Sequence, residues 1–90
     1  MTEMNIQELL NRTDLFAANA GCRITEVDAA HAVAEMRVTA EHLNGGQVCQ
    51  GGALFTLADL AIAALMNHGG QLTFGISNTL MFVSSDKEGD

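Results

Sequence analysis

Apolar positions along this chain follow two rhythms, a helical one near each end of the first two-thirds and an alternating one between. Ile6, Leu9 and Leu10 share one side at helical spacing, so a short helix is expected over residues 4–10, with Thr2 as its cap. A second helical turn over residues 14–19 carries Leu15 and Phe16, and Gly21 is placed to end it. The period then shortens to two. Residues 22–28, with Ile24, Thr25 and Val27, read as one strand. Residues 32–39 read as another, with Val33, Glu35, Arg37 and Thr39 opposing Ala34, Met36 and Val38; Asp28-Ala29-Ala30-His31 is the hairpin turn between them. A loop of turn formers follows over residues 42–46.

Gly51-Gly52 then open a run over residues 53–67 that is apolar on nearly every face, which predicts a buried helix. Gly69-Gly70 end it, with His68 in the last turn where a cation suits the helix dipole. Residues 71–84 are expected to form a long strand, and residues 85–90 a charged, solvated turn. A helix apolar all round needs a curved sheet about it, and three strands are too few to cover it. The expectation is a single α+β domain over residues 1–90, incomplete at its C-terminus and borrowing cover from a partner chain.

Size and composition sharpen this. A chain of 90 residues is one small domain. At this length only about 60–65% of the unfolded surface is buried, which favours completing the core against another subunit. The net charge of −7 and pI near 4.6 argue against nucleic acid and against anionic membrane surfaces as partners. The apolar run around residues 57–66 is short and contains Asp59, so it does not span a membrane. Residues 1–11 are polar and acidic, without a secretory leader, so Cys22 and Cys49 are expected to be reduced thiols in the cytoplasm.

Candidate chemistry lies between residues 42 and 59. Asp59 is the one ionisable residue between Ala53 and Met66, and the neighbours a turn away are Phe55, Thr56, Ile62 and Ala63. In an apolar setting such a carboxylate is either a hydrogen-bond acceptor, with Thr56 as donor, or a general base or nucleophile. Gly51-Gly52 at a helix start offer unhindered N–H groups, a potential oxyanion site. Eight residues separate Gly51 from Asp59, about 12 Å along one helix, too far for a single carbonyl to touch both. If they cooperate, the helix start of one chain meets Asp59 of another, as in a symmetric dimer with antiparallel helices. Cys49, near the same helix start, offers a third chemistry as a nucleophile paired with His42 or His68. The three histidines, His31, His42 and His68, have no ligand spacing, so no metal is expected.

The pattern Asn44, Gln50-Gly51-Gly52, Asp59 resembles the signature of the phenylacetate-degradation (PaaI-type) branch of hotdog-fold thioesterases. The likeness continues through Gly75-Ile76-Ser77, Phe82-Val83-Ser84 and the Lys87–Asp90 turn. It implies a curved antiparallel sheet around a long central helix, a homodimer or homotetramer, and hydrolysis of aliphatic or aryl acyl-coenzyme A thioesters. No cofactor is implied, coenzyme A being part of the substrate. Carried over, Asp59 activates water or attacks the thioester, the Gly51 N–H polarises the carbonyl from the other subunit, Asn44 positions thioester or water, and Ser77 orients the water. Gly52, Phe55 and Thr56 are the expected substrate contacts. Two departures stand out: Gln50 occupies the family's histidine position, and about three further strands usual in the family are not in this sequence. Glutamine holds a hydrogen bond but cannot shuttle a proton. The competing expectation is a non-catalytic acyl-coenzyme A-binding or assembly remnant of the same fold.

Overall fold

The computed structural model describes residues 5–69 and 86–90. Helix α1 (Ile6–Thr13) begins where Asn5 accepts a hydrogen bond from the Glu8 N–H at 2.8 Å, so Asn5 caps it, and the expected cap, Thr2, lies outside the described residues. The helix runs three residues beyond its expected end, and α2 (Leu15–Asn19) follows almost at once. Asp14 separates them: its N–H closes α1 on Leu10, and its carboxylate accepts from Ala17 N–H at 3.2 Å to start α2. Gly21 turns the chain at φ +86°, a left-handed conformation that side chains with a Cβ resist.

Strands β1 (Arg23–Val27) and β2 (Ala32–Glu35) form the antiparallel hairpin that the alternating pattern predicted, but β2 ends four residues short of the expected Thr39, because Val38 pairs with Gly89 and Asp90 rather than with β1. The register pairs Arg23 with Glu35 and Ile24 with Ala34, then Glu26 with Val33 and Val27 with Ala32, so Thr25 is an extra residue, a bulge. The bulge lets both Ile24 and Val27 contribute to the core although three positions separate them. At the turn, the Asp28 carboxylate accepts from the N–H groups of Ala30 (2.7 Å) and His31 (2.9 Å). Those two bonds hold its pKa below the usual carboxylate value.

The long helix α3 (Gly51–Met66) crosses the hairpin. Leu57, Leu60 and Ala64, at spacings of three and four, face Ile24 and Cys22. Ile24 and Ala64 are fully buried and Leu60 nearly so. The expectation of a helix buried all round is corrected here: Gly52, Asp59, Ile62 and Met66 lie on the opposite side and are exposed, Ile62 at 43% and Met66 at 55%. Among the described residues, the two-stranded hairpin turns one of its faces to α3 and so covers one side of the helix. The strand expected over residues 71–84 lies outside the described residues.

The 86–90 turn is also tied more firmly than a solvated tail. Gly89 N–H donates to the Val38 carbonyl (2.8 Å), Val38 N–H to the Asp90 carbonyl (2.9 Å) and Cys49 N–H to the Asp86 carbonyl (2.7 Å). Its backbone thereby continues the pairing of the chain beyond β2, while its side chains stay largely exposed.

Asn11 joins α1 to the hairpin. Its amide donates to the Ile24 carbonyl (3.0 Å) and accepts from the Ile24 N–H (2.8 Å), so one side chain satisfies both backbone groups of the most buried strand residue. Asn11→Ala is expected to destabilise the fold by about 2 kcal/mol, because it leaves both groups unpaired. Arg12→Ala, on the exposed side of the same turn, should stay within about 0.5 kcal/mol. Chemical denaturation of the two variants checks the contrast.

Candidate active site at the start of the long helix

The segment between β2 and α3 is built from short-range polar contacts. A 3-10 turn (Ala40–His42) leads into a loop that closes on itself over residues 43–49. Asn44 organises that loop: its N–H donates to the Val48 carbonyl (2.8 Å), and its side-chain oxygen accepts from the Gly46 N–H (2.8 Å) and, longer, the Val48 N–H (3.4 Å). The side-chain oxygen of Asn44 is therefore engaged within its own loop. Gln47, rather than either neighbouring glycine, takes the left-handed conformation there, at φ 65°.

Gln50 caps α3. Its backbone is extended (φ −60°, ψ 131°), and its side-chain oxygen accepts from the Gly52 N–H at 3.4 Å. Gly51 is the first helical residue, and no described group accepts a hydrogen bond from its N–H. The Gln50 N–H donates to the His42 carbonyl at 2.6 Å. The His42 ring reaches the other way: Nδ1 accepts from Thr39 N–H (2.9 Å), which leaves Nε2 to donate to the Ala20 carbonyl. Thr56 donates its hydroxyl to the Gly52 carbonyl (2.9 Å), so it is not the hydrogen-bond donor to Asp59 that the sequence suggested.

An open cleft of about 630 Å³ lies between α2 and the start of α3. Gln50, Gly52 and Thr56 line it, together with His42, Arg37 and the ring of Phe16, which is 75% exposed. Phe55 is half-buried and lies off its wall, as do Asn44, Gly51 and Asp59. Asp59 follows Thr56 by three residues on the exposed side of α3, in solvent rather than in an apolar pocket. Gly51 and Asp59 belong to one continuous helix, so the separation of about 12 Å stands. Ser77 lies outside the described residues.

Phe16 and Arg37 carried no functional reading in the sequence. One signal was available: Leu15 and Phe16 are adjacent on a five-residue helix that buries only Ala17, so bulky apolar surface is left outside. Arg37 and Thr39 fall on the exposed side of the alternating pattern and line the cleft.

Cys49 does not behave as an activated nucleophile. It is buried, and burial together with the Asp86 carboxylate pushes its thiol above the ordinary value of 9.0. Cys22 is raised likewise, by burial first, then Asp14 and Cys49. Among the described residues no cluster of histidine, cysteine and carboxylate groups could hold a metal ion, and no helix is long and apolar enough to cross a membrane.

Comparison with known proteins agrees with this arrangement. No family model matches the chain. The acyl-coenzyme A thioesterase PaaI of Escherichia coli is 40% identical over 77 residues, which are 86% of this chain and 55% of that protein. The solved E. coli PaaI protein, from the phenylacetic acid degradation operon, superposes with a TM-score of 0.86 at 37% identity, covering 92% of this chain and 60% of that one. This chain is similar to PaaI in sequence and fold over the span they share. An Archaeoglobus fulgidus protein named "Putative esterase" is 34% identical over 85 residues, 94% of this chain and 55% of its own length. The chain thus spans little more than half the length of the curated relatives it matches. Its hairpin and long helix are the PaaI hotdog arrangement over that span.

Both thiols should react with iodoacetamide at neutral pH at least about tenfold more slowly in the folded chain than after denaturation, as a raised thiol pKa and burial require. The sign for stability follows. The folded state holds these protons more tightly than the unfolded one, so the contribution is complete below pH 9.0 and is lost as pH climbs through the higher folded values. Labelling rates followed by mass spectrometry, and denaturation midpoints across alkaline pH, measure both.

Proposed function

We propose that this chain supplies the helix of an acyl-coenzyme A thioesterase site of the hotdog type, with aliphatic or aryl acyl thioesters as substrates. The reading is carried by one observation: a candidate carbonyl-polarising N–H at Gly51 and a solvent-facing carboxylate at Asp59 lie on one helix, about 12 Å apart, on a side that one chain leaves uncovered. Similarity to PaaI adds the reaction class. In this proposal two copies set their α3 helices antiparallel, as a homodimer or within a homotetramer, and Asp59 of each approaches Gly51 of the other. A curved sheet wraps the helices, and residues 1–90 belong to a single hotdog domain.

The thioester carbonyl accepts from the Gly51 N–H and becomes more electrophilic. Asp59 takes a proton from water as the water oxygen bonds to the carbonyl carbon; alternatively the carboxylate itself attacks and water later cleaves the anhydride. The C–S bond breaks with its electron pair on sulfur, and the coenzyme A thiolate takes up the proton that Asp59 removed from water, or a solvent proton in the anhydride route, as the acid is released. Asn44 acts from the adjoining loop, and Ser77 is assigned to the water beside Asp59. Gly52 and Thr56 contact the substrate in the cleft, with Phe55 further along the same helix. Gln50, at the family's histidine position, accepts from the Gly52 N–H, a task that needs an acceptor and no positive charge. No resident cofactor is needed. The buried thiols of Cys22 and Cys49 fit a reducing compartment, the cytoplasm.

The test is release of free coenzyme A from a panel of acyl thioesters. Asp59→Asn should lower kcat by at least about a hundredfold in a chain that still folds; retained turnover refutes the role of Asp59. No turnover by a well-folded oligomer that still binds acyl-coenzyme A points to the binding remnant instead. The shared site has its own check. Gly51→Pro removes the N–H yet suits the first helical position, and the extended Gln50 tolerates a following proline. Mixing inactive Asp59→Asn and inactive Gly51→Pro chains should restore about a quarter of wild-type turnover, since half the dimers are mixed and each holds one intact site. Absence of recovery after subunit exchange argues for a site within one chain.

A further inference from the structure

We infer that His42 is a positioning residue that holds the Gln50–Gly51 helix start in place, an inference that rests on the thioesterase reading above. Three separate elements meet on this one residue. Nε2 donates to the carbonyl of Ala20, at the end of α2 and 22 residues away in sequence. Nδ1 accepts from the backbone N–H of Thr39 (2.9 Å) and contacts its hydroxyl (3.3 Å). The main-chain carbonyl accepts from the N–H of Gln50 at 2.6 Å, immediately before the candidate oxyanion donor. The ring also lies over Gly21, where an added Cβ would come within 3.9 Å of it.

The brace matters because of where α3 is otherwise held. Its core contacts, Leu57, Leu60 and Ala64, begin nearly two turns beyond Gly51. The first turn of a helix has no internal partners for its N–H groups and opens most readily. The next loop is closed upon itself by Asn44 and the Leu43–Cys49 bridge and is tied outward to the 86–90 turn through Cys49 N–H and the Asp86 carbonyl (2.7 Å), so it does not link the helix start to α2 as His42 does. His42 therefore transmits the position of α2 to the helix start, and the family position at Gln50 is aligned through its backbone rather than by charge.

The experiment uses the full chain with His42→Ala, His42→Gln and His42→Asn, assayed by coenzyme A release. For His42→Ala, kcat should fall about ten- to a hundredfold, with KM within about twofold, as expected when a donor is misplaced and binding is not. His42→Gln carries an N–H at about the reach of Nε2 and should recover to within about threefold of wild type; His42→Asn, too short for Ala20, should not. Equal kcat in all four proteins, or a loss matched by the unfolded fraction, overturns the inference. Amide exchange by NMR reads the brace without any turnover. In His42→Ala, or in His42→Asn if the alanine variant does not fold, Gln50 and Gly52 amides should exchange at least about tenfold faster while Leu60 and Ala64 are unchanged. Unchanged Gln50 exchange overturns the brace whatever the catalysis. Faster exchange in a chain without thioesterase activity upholds the brace and rejects the catalytic reading.

Discussion

The contact of Leu60 and Ala64 with Ile24 is the constraint on which the remaining structure depends. Ile24 is wholly buried, and Ala64 is small enough for the helix to come close to the sheet. Burying side chains such as Ile24 and Leu60 stabilises the fold by about 1.5–3 kcal/mol each. With the helix pressed against the hairpin at that point, its orientation about its own axis is decided. One side carries Leu57, Leu60 and Ala64 inward, and the other holds Asp59, Ile62 and Met66 outward.

That rotational setting links packing to chemistry. A carboxylate on an otherwise apolar helix is costly if it faces the core and inexpensive if it faces water. Here it faces water in the single chain, beside exposed Ile62 and Met66. Exposed aliphatic side chains flanking a lone acid have the composition of a surface that another apolar surface covers. The proposed pairing of two helices would remove Asp59 from solvent only when the site is assembled, so the environment of the carboxylate would follow assembly rather than the fold of one chain.

The polar contacts at the start of α3 serve a complementary purpose. Hydrophobic packing holds the middle of the helix, whereas its first turn depends on Gln50, His42 and the Asn44 loop. Such bonds contribute about 1 kcal/mol each, less than the core contacts, but they are directional and act where backbone N–H groups must point at a ligand. The raised thiols of Cys22 and Cys49 belong to the packing side of this division: both are buried as small apolar groups.

The order of elements was legible in the sequence because each depends on neighbours a few residues apart: the alternation of Ile24, Ala34, Met36 and Val38, the Asp28 turn, Gly21, and the apolar run after Gly51-Gly52. The spacing of Asn44, Gln50, Gly51 and Asp59 was legible too, with its consequence that Gly51 and Asp59 of one helix cannot share a carbonyl. Tertiary structure alone decided which side of α3 is covered, since an all-apolar helix has no periodicity to declare an outer face and the hairpin supplies only one surface. It also decided that burial and Asp86 suppress Cys49, and that His42 reaches Ala20. Those outcomes hinge on groups distant in sequence, and residue type at any one position does not specify them.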